Sequence, residues 1–225
     1  STTIKTNTDP KAAANIQKIP PTDKQPAVIV GHPLTQPLAV VVTDSKGVPV
    51  QGAIVTFRVI AGGGNFGKDI LGNPMTAYNA KTLSNGIAKA SLVLGEKTSV
   101  NPIYMKLEPT DQYNTQIGLN LVTASVVWTS GTMSIRQPFE AYGKPDVPSI
   151  ITKVLGDGVV GLANNPTGSL AAKVLDKYGN PISNLAIKMK TVGINARYAG
   201  TTLPPNPRGV EFYSREACAN PYPIY

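Results

Sequence analysis

Pro37-Leu38-Ala39-Val40-Val41-Val42-Thr43-Asp44-Ser45-Lys46-Gly47-Val48-Pro49-Val50 returns 132 residues later as Ser169-Leu170-Ala171-Ala172-Lys173-Val174-Leu175-Asp176-Lys177-Tyr178-Gly179-Asn180-Pro181-Ile182. Each copy is an apolar run closed by a turn. Side chains of an extended chain alternate between two faces, so Leu38, Val40 and Val42 share one side. Ala53, Val55, Phe57 and Val59 do the same in the next segment. In the second copy Leu185, Ile187 and Met189 alternate with Ala186, Lys188 and Lys190, and the lysines mark the wet face. The turn chemistry is explicit: Asp44 and Asp176 fold back on their own backbone, Gly47 and Gly179 take the left-handed position, and Pro49 and Pro181 follow. From Leu38–Ile60 to Leu170–Val192 six of 23 positions are identical, where average composition gives roughly one or two. The repeat is too long for a solenoid unit of roughly 20–50 residues, so it is a whole domain recurring.

Working outward, residues 1–12 are polar and read as a flexible arm, in which Thr3-Ile4-Lys5-Thr6 could pair with an offered edge. A first strand runs through Asn15–Ile19 and stops at Pro20-Pro21. Lys81–Gly95 reads as a hairpin turning at Asn85-Gly86. Further strands fit Ile103–Leu107, Ile117–Trp128 and Met133–Ala141. The divisions are an arm at 1–12, a first domain at 13–143, a Pro-stiffened linker at 144–148 and a second domain at 149–225. No window carries a helical period, and 21 Gly with 20 Pro suit short strands and tight turns. The expected class is all-β, with antiparallel sheets.

This pattern resembles the bacterial immunoglobulin-like domains of the invasin and intimin type. The likeness rests on Pro37 to Val50, on Gly52 to Val59, and on the turn Gly62 to Gly64. Thr82, Gly86 and Ala88 with Leu94-Gly95 extend it, and Val122-Thr123-Ala124 and Phe139-Glu140-Ala141 close it. The second copy keeps Asp176, Gly179 and Pro181 but has Asn184 where the first has Gly52. The resemblance implies two tandem immunoglobulin-like antiparallel β-sandwiches, used as a spacer or stalk at the bacterial surface. It implies no catalysis, lends no site residues, and places the chain outside the cell or on its envelope. Nothing after Val192 resembles the late strands of the first copy. The second domain is therefore a fragment, an abbreviated domain, or one completed by a strand from another chain, with residues 1–8 as the candidate donor.

The chain carries 21 basic and 13 acidic residues. The cations are scattered singly, and no basic run is interleaved with aromatics, which argues against nucleic acid. No run approaches the roughly 20 apolar residues of a membrane helix. Cys218 is the sole cysteine, so no disulfide within the chain and no thiolate cluster can form. His32 is the only histidine and lacks a partner for acid–base or metal work. Gly156-Asp157-Gly158-Val159-Val160-Gly161 matches a dinucleotide fingerprint formally, but Leu162–Pro166 cannot open the required helix. Asp44 and Asp176 recur at one turn, which reads as structure rather than as a calcium or catalytic site. Glu96, Glu108, Glu140, Glu211 and Glu216 form no supported carboxylate pair. No cofactor and no metal are expected. The one ligand platform to test is Trp128 with Tyr104 or Tyr113, for a glycan. The expected function is a non-enzymatic surface module with an unidentified protein or glycan partner. The alternatives are a filament subunit that exchanges strands between copies and a carbohydrate-binding module of an envelope enzyme.

Overall fold

The computed structural model describes residues 5–22, 25–99, 118–128, 130–155, 170–190 and 211–214. Within them the protein is all-β and predominantly antiparallel, apart from one 3-10 turn at Pro10–Ala12. The chain divides into two compact units, Ser1–Asp146 and Val147–Tyr225.

Unit 1 begins with β1 (Asn15–Lys18), β2 (Val28–Ile29), β3 (Leu38–Thr43) and β4 (Ile54–Ala61). It continues with β5 (Ala77–Lys81), β6 (Ile87–Ala90), β7 (Asn120–Trp128) and β8 (Gly131–Ser134), and ends with β9 (Phe139–Ala141) and β10 (Gly143–Lys144). One sheet has the order β1-β3-β6; the other is β5-β4-β7-β8, with β9 also on β7. The alternation read in the sequence sets the faces. Leu38, Val40 and Val42 of the first sheet meet Val55, Phe57, Val122, Ala124 and Val126 of the second in one buried cluster. Phe57 lies at its centre, with Phe66 and Phe139 rings 6.4 and 6.5 Å away. Sheets packed face to face in this way form a sandwich.

Two expectations are revised. Asn85-Gly86 does turn the chain tightly, with Gly86 N–H on Leu83 C=O at 2.9 Å and Leu83 N–H on Ile87 C=O at 3.0 Å. Its flanking strands nevertheless do not pair as a hairpin. β5 stays on β4, because Gly52 N–H bonds Thr82 C=O and the Thr82 hydroxyl bridges Val50 C=O and Ala53 N–H. β6 crosses to β3, where Val42 N–H reaches Gly86 C=O. The single strand expected over Met133–Ala141 is two, β8 and β9, on either side of Pro138, whose ring nitrogen has no hydrogen to give.

Unit 2 contains β11 (Ile150–Leu155), β12 (Ala171–Leu175), β13 (Ile187–Lys190) and β14 (Glu211–Ser214). β11 pairs with β12 and β13 with β14, both antiparallel. β11 and β12 repeat the pairing of β1 and β3: Asn15 faces Thr43, and Ile150 faces Leu175 at the equivalent place. The strand predicted over Ile103–Leu107 lies outside the described residues.

Candidate functional site

The recurring aspartate turn occurs three times among the described residues. Asp44 Oδ1 accepts from Lys46 N–H and Val48 N–H, both at 2.9 Å. Asp176 Oδ1 accepts from Tyr178 and Asn180 N–H at 2.9 and 2.8 Å. Asp69, which the sequence reading passed over, accepts from Leu71 and Asn73 N–H at 2.9 and 2.8 Å. In each turn the glycine three residues on returns its N–H to the aspartate carbonyl at a φ of 77, 85 or 81° for Gly47, Gly72 and Gly179. The residue before each aspartate then bridges to the closing proline: Thr43 to Pro49, Lys68 to Pro74, Leu175 to Pro181. Asp69-Ile70-Leu71-Gly72-Asn73-Pro74 carries the same Asp-x-x-Gly-x-Pro spacing. A comparison at the constant offset of 132 could not find it, because it has no counterpart at that offset.

The second carboxylate oxygen separates the three turns. Asp69 Oδ2 accepts from the side chain of Asn73 at 3.3 Å, and Asp176 Oδ2 from that of Asn180 at 2.9 Å. The first turn has Val48 at this place and cannot supply an amide. Asn7 supplies it instead, donating from Nδ2 to Asp44 Oδ2 at 3.1 Å. Residues 5–12 are thus a docked strap and not a free arm. Asn7 N–H bonds Pro49 C=O, Gln51 N–H bonds Asn7 C=O, and the Thr6 hydroxyl bonds Ser84 C=O, all at 2.8 Å. The strap was misread because a polar, Thr-rich segment has no apolar pattern to announce where it lies.

The electrostatics follow from these bonds. The Asn7 amide, then Val48 N–H, holds the Asp44 carboxyl below its ordinary value. Asn73 does the same for Asp69, first through its N–H and then through its side chain. Hydrogen bonds to the charged form favour it. The Asp69 carboxylate is thus engaged by its own turn, and that of Asp44 by its turn and by Asn7. Among the described residues no three His, Cys, Asp or Glu side chains converge as a metal site would require.

The remaining candidates are mostly outside the described residues. Trp128 ends β7 half-buried against the core of unit 1, and Tyr104 and Tyr113 lie outside the described residues, as do Cys218 and Gly156–Gly161. His32 is exposed in the turn after β2, with its C=O taken by Leu94 N–H. Asn184 explains the one departure in the second copy. It stands at φ 58°, matching Gly52 at 84°; asparagine is among the few side chains that visit this region. No family model, no curated protein and no solved structure matches the chain.

Proposed function

We propose that this chain is a non-enzymatic spacer from a bacterial surface protein, built of consecutive immunoglobulin-like modules that hold partners apart under load. The observation that carries the reading is the path of the chain through unit 1. Asn15 of β1 lies beside Thr43, at the end of the sandwich that holds the Asp44 turn. Ala141 of β9 lies beside Asn120, at the opposite end, where β4 finishes at Ala61 next to Leu121. Tension applied through the chain therefore runs along the strands. Ladder bonds lie across the strands, so such a pull loads them together in shear and does not open them one by one.

The outgoing segment is tied down accordingly. β10 pairs in parallel with β2, with Val28 N–H on Tyr142 C=O and Val30 N–H on Lys144 C=O, both 3.0 Å. Gly143 is held again by the Ser99 hydroxyl at 2.7 Å. The resemblance to invasin and intimin repeats supports the surface location, and aspartate turns bonded to their own backbone fit a module whose polar groups serve its own shape.

The test is to stretch the whole chain between its ends in a force spectrometer. Unit 1 is expected to give one abrupt rupture, releasing roughly 3.3–3.6 Å for each residue of the unit. A smooth extension without a rupture peak would remove the load-bearing reading.

A further inference from the structure

We infer that the outer face of the β5-β4-β7-β8 sheet docks against the same face of a second copy of this chain, across a two-fold axis that runs along the strands between β4 and β7. This does not rest on the load-bearing reading. It comes from what the outward positions of those two strands carry.

A sheet with one wet face normally turns polar side chains outward. The outward positions of β4 are Ile54, Thr56, Arg58 and Ile60, and those of β7 are Leu121, Thr123, Ser125 and Val127. Ile54, Ile60 and Val127 are 51, 55 and 70 % exposed. The inward residues Val55, Phe57 and Val126 fill the core without them. The register sets these side chains in rows. Thr56 lies opposite Ser125 and Arg58 opposite Thr123, and one step beyond the Val55–Val126 pair Ile54 comes beside Val127. At the other end Ile60 stands at the bulge beside Leu121.

A two-fold axis along the strands exchanges left and right but keeps each row at its height. β4 of one copy then lies over β7 of the other, which puts Ile54 over Val127, Thr56 over Ser125, Arg58 over Thr123 and Ile60 over Leu121. Apolar meets apolar and hydroxyl meets hydroxyl, so the face is complementary to itself, as an isologous contact requires. Sheets stacked in this way keep their strands within about 30° of each other, the aligned packing of a sandwich. Lys81, opposite Ile54 at one edge, falls over Thr132, opposite Val127 at the other. Glu140, opposite Leu121, already accepts the Tyr142 hydroxyl at 2.8 Å. Four strands about 4.8 Å apart and nine residues of about 3.4 Å give a face of at most about 19 by 30 Å. Two such faces cover roughly 1,100 Å², the low end for a specific contact, so the dimer is a weak one.

The test is sedimentation equilibrium of the full chain. A reversible monomer–dimer equilibrium is expected. Added sodium chloride should strengthen it, because the two copies bring Arg58 and Lys81 to one interface on chains of net charge +8. Val127→Glu and Ile54→Lys, each alone, should weaken the dimer at least tenfold. Mixing the two variants should restore at least tenfold, since the new carboxylate and ammonium then face each other across the axis. Misfolding cannot produce such a recovery. Should either variant fail to fold, Ser125→Arg takes its place and is expected to abolish the dimer. A chain that stays monomeric at millimolar concentration overturns the proposal. A dimer that salt weakens, that ignores the substitutions, or that mixing of the folded variants fails to restore overturns it too.

Discussion

Leu38 and Leu170 occupy the same place in the two copies of one motif, yet the first is sealed and the second is half open to water. The aspartate turns beside them show no such contrast. Asp44 and Asp176 collect the same two main-chain amides at nearly the same distances. The main-chain bonds of a turn of this kind close within six residues, although the first copy also takes the Asn7 amide on its second carboxylate oxygen. Burial needs partners from far away. In unit 1 they are β6 and β7, 49 to 90 residues beyond Leu38. A short-range motif is therefore copied with its geometry intact, while its surroundings differ.

The largest effect expected from this contrast is in the core. Phe57 is fully buried in unit 1, and its counterpart Met189 is half-buried in unit 2. Phe57→Ala should cost unit 1 about 3–5 kcal/mol, the usual range for emptying an aromatic core site. Met189→Ala should cost unit 2 clearly less. Denaturant titration read by segment-resolved hydrogen exchange separates the two. Equal losses would mean that both cores are equally closed.

A smaller effect is expected at the strap. Asn7→Ala should expose the amides of residues 6–12 to exchange and leave β3 and β4 protected. Val48→Asn should loosen the strap in the same way, by giving the first turn the internal amide that Asn73 and Asn180 give the others. The pH dependence has a fixed sign. The Asp44 carboxyl is lowered in the folded state, so its contribution is complete above the ordinary aspartate value of about 3.9. It is lost as pH falls through the lower folded value. Strap amides should therefore lose protection in acid before the sandwich does, and a strap that stays protected until the sandwich itself unfolds in acid would show that Asp44 does not hold it.

The smallest effect concerns the left-handed position. Asn184→Gly and Gly52→Asn should each change stability by less than about 1 kcal/mol, since both residues tolerate this conformation. An added Cβ at Gly52 would meet Pro10 and Lys81 only at ordinary contact distances. Thermal melts that moved strongly for either exchange would show that the two loops are not equivalent.

Strand alternation over Leu38–Thr43 and Ile54–Val59 was legible because one face of each strand is buried and the other is not. The turn at Asp44 was legible for a different reason: its glycine and aspartate are required by backbone geometry at fixed spacing. The strap escaped, since its bonds are polar and reach across to Pro49, Gln51 and Asp44. The path from β5 to β6 escaped as well. Asn85-Gly86 defines a tight turn, but whether the next strand pairs with the last one or crosses to the other sheet depends on Thr82 and Val42 finding partners. Of the glycan platform drawn around Trp128, the described residues include only Trp128 itself, which packs half-buried against the core of unit 1.

Residue order alone determined the all-β class, the repeat of a domain-length unit and the conformation of its aspartate turns, because each depends on contacts within a few residues or on a period of two. Only the tertiary structure decided which sheet each strand joins, that Asn7 completes the first turn, and that the same leucine is shielded in one unit and exposed in the other. Those outcomes rest on pairings between distant segments, and a distant partner leaves no mark in the local pattern of the residue it covers.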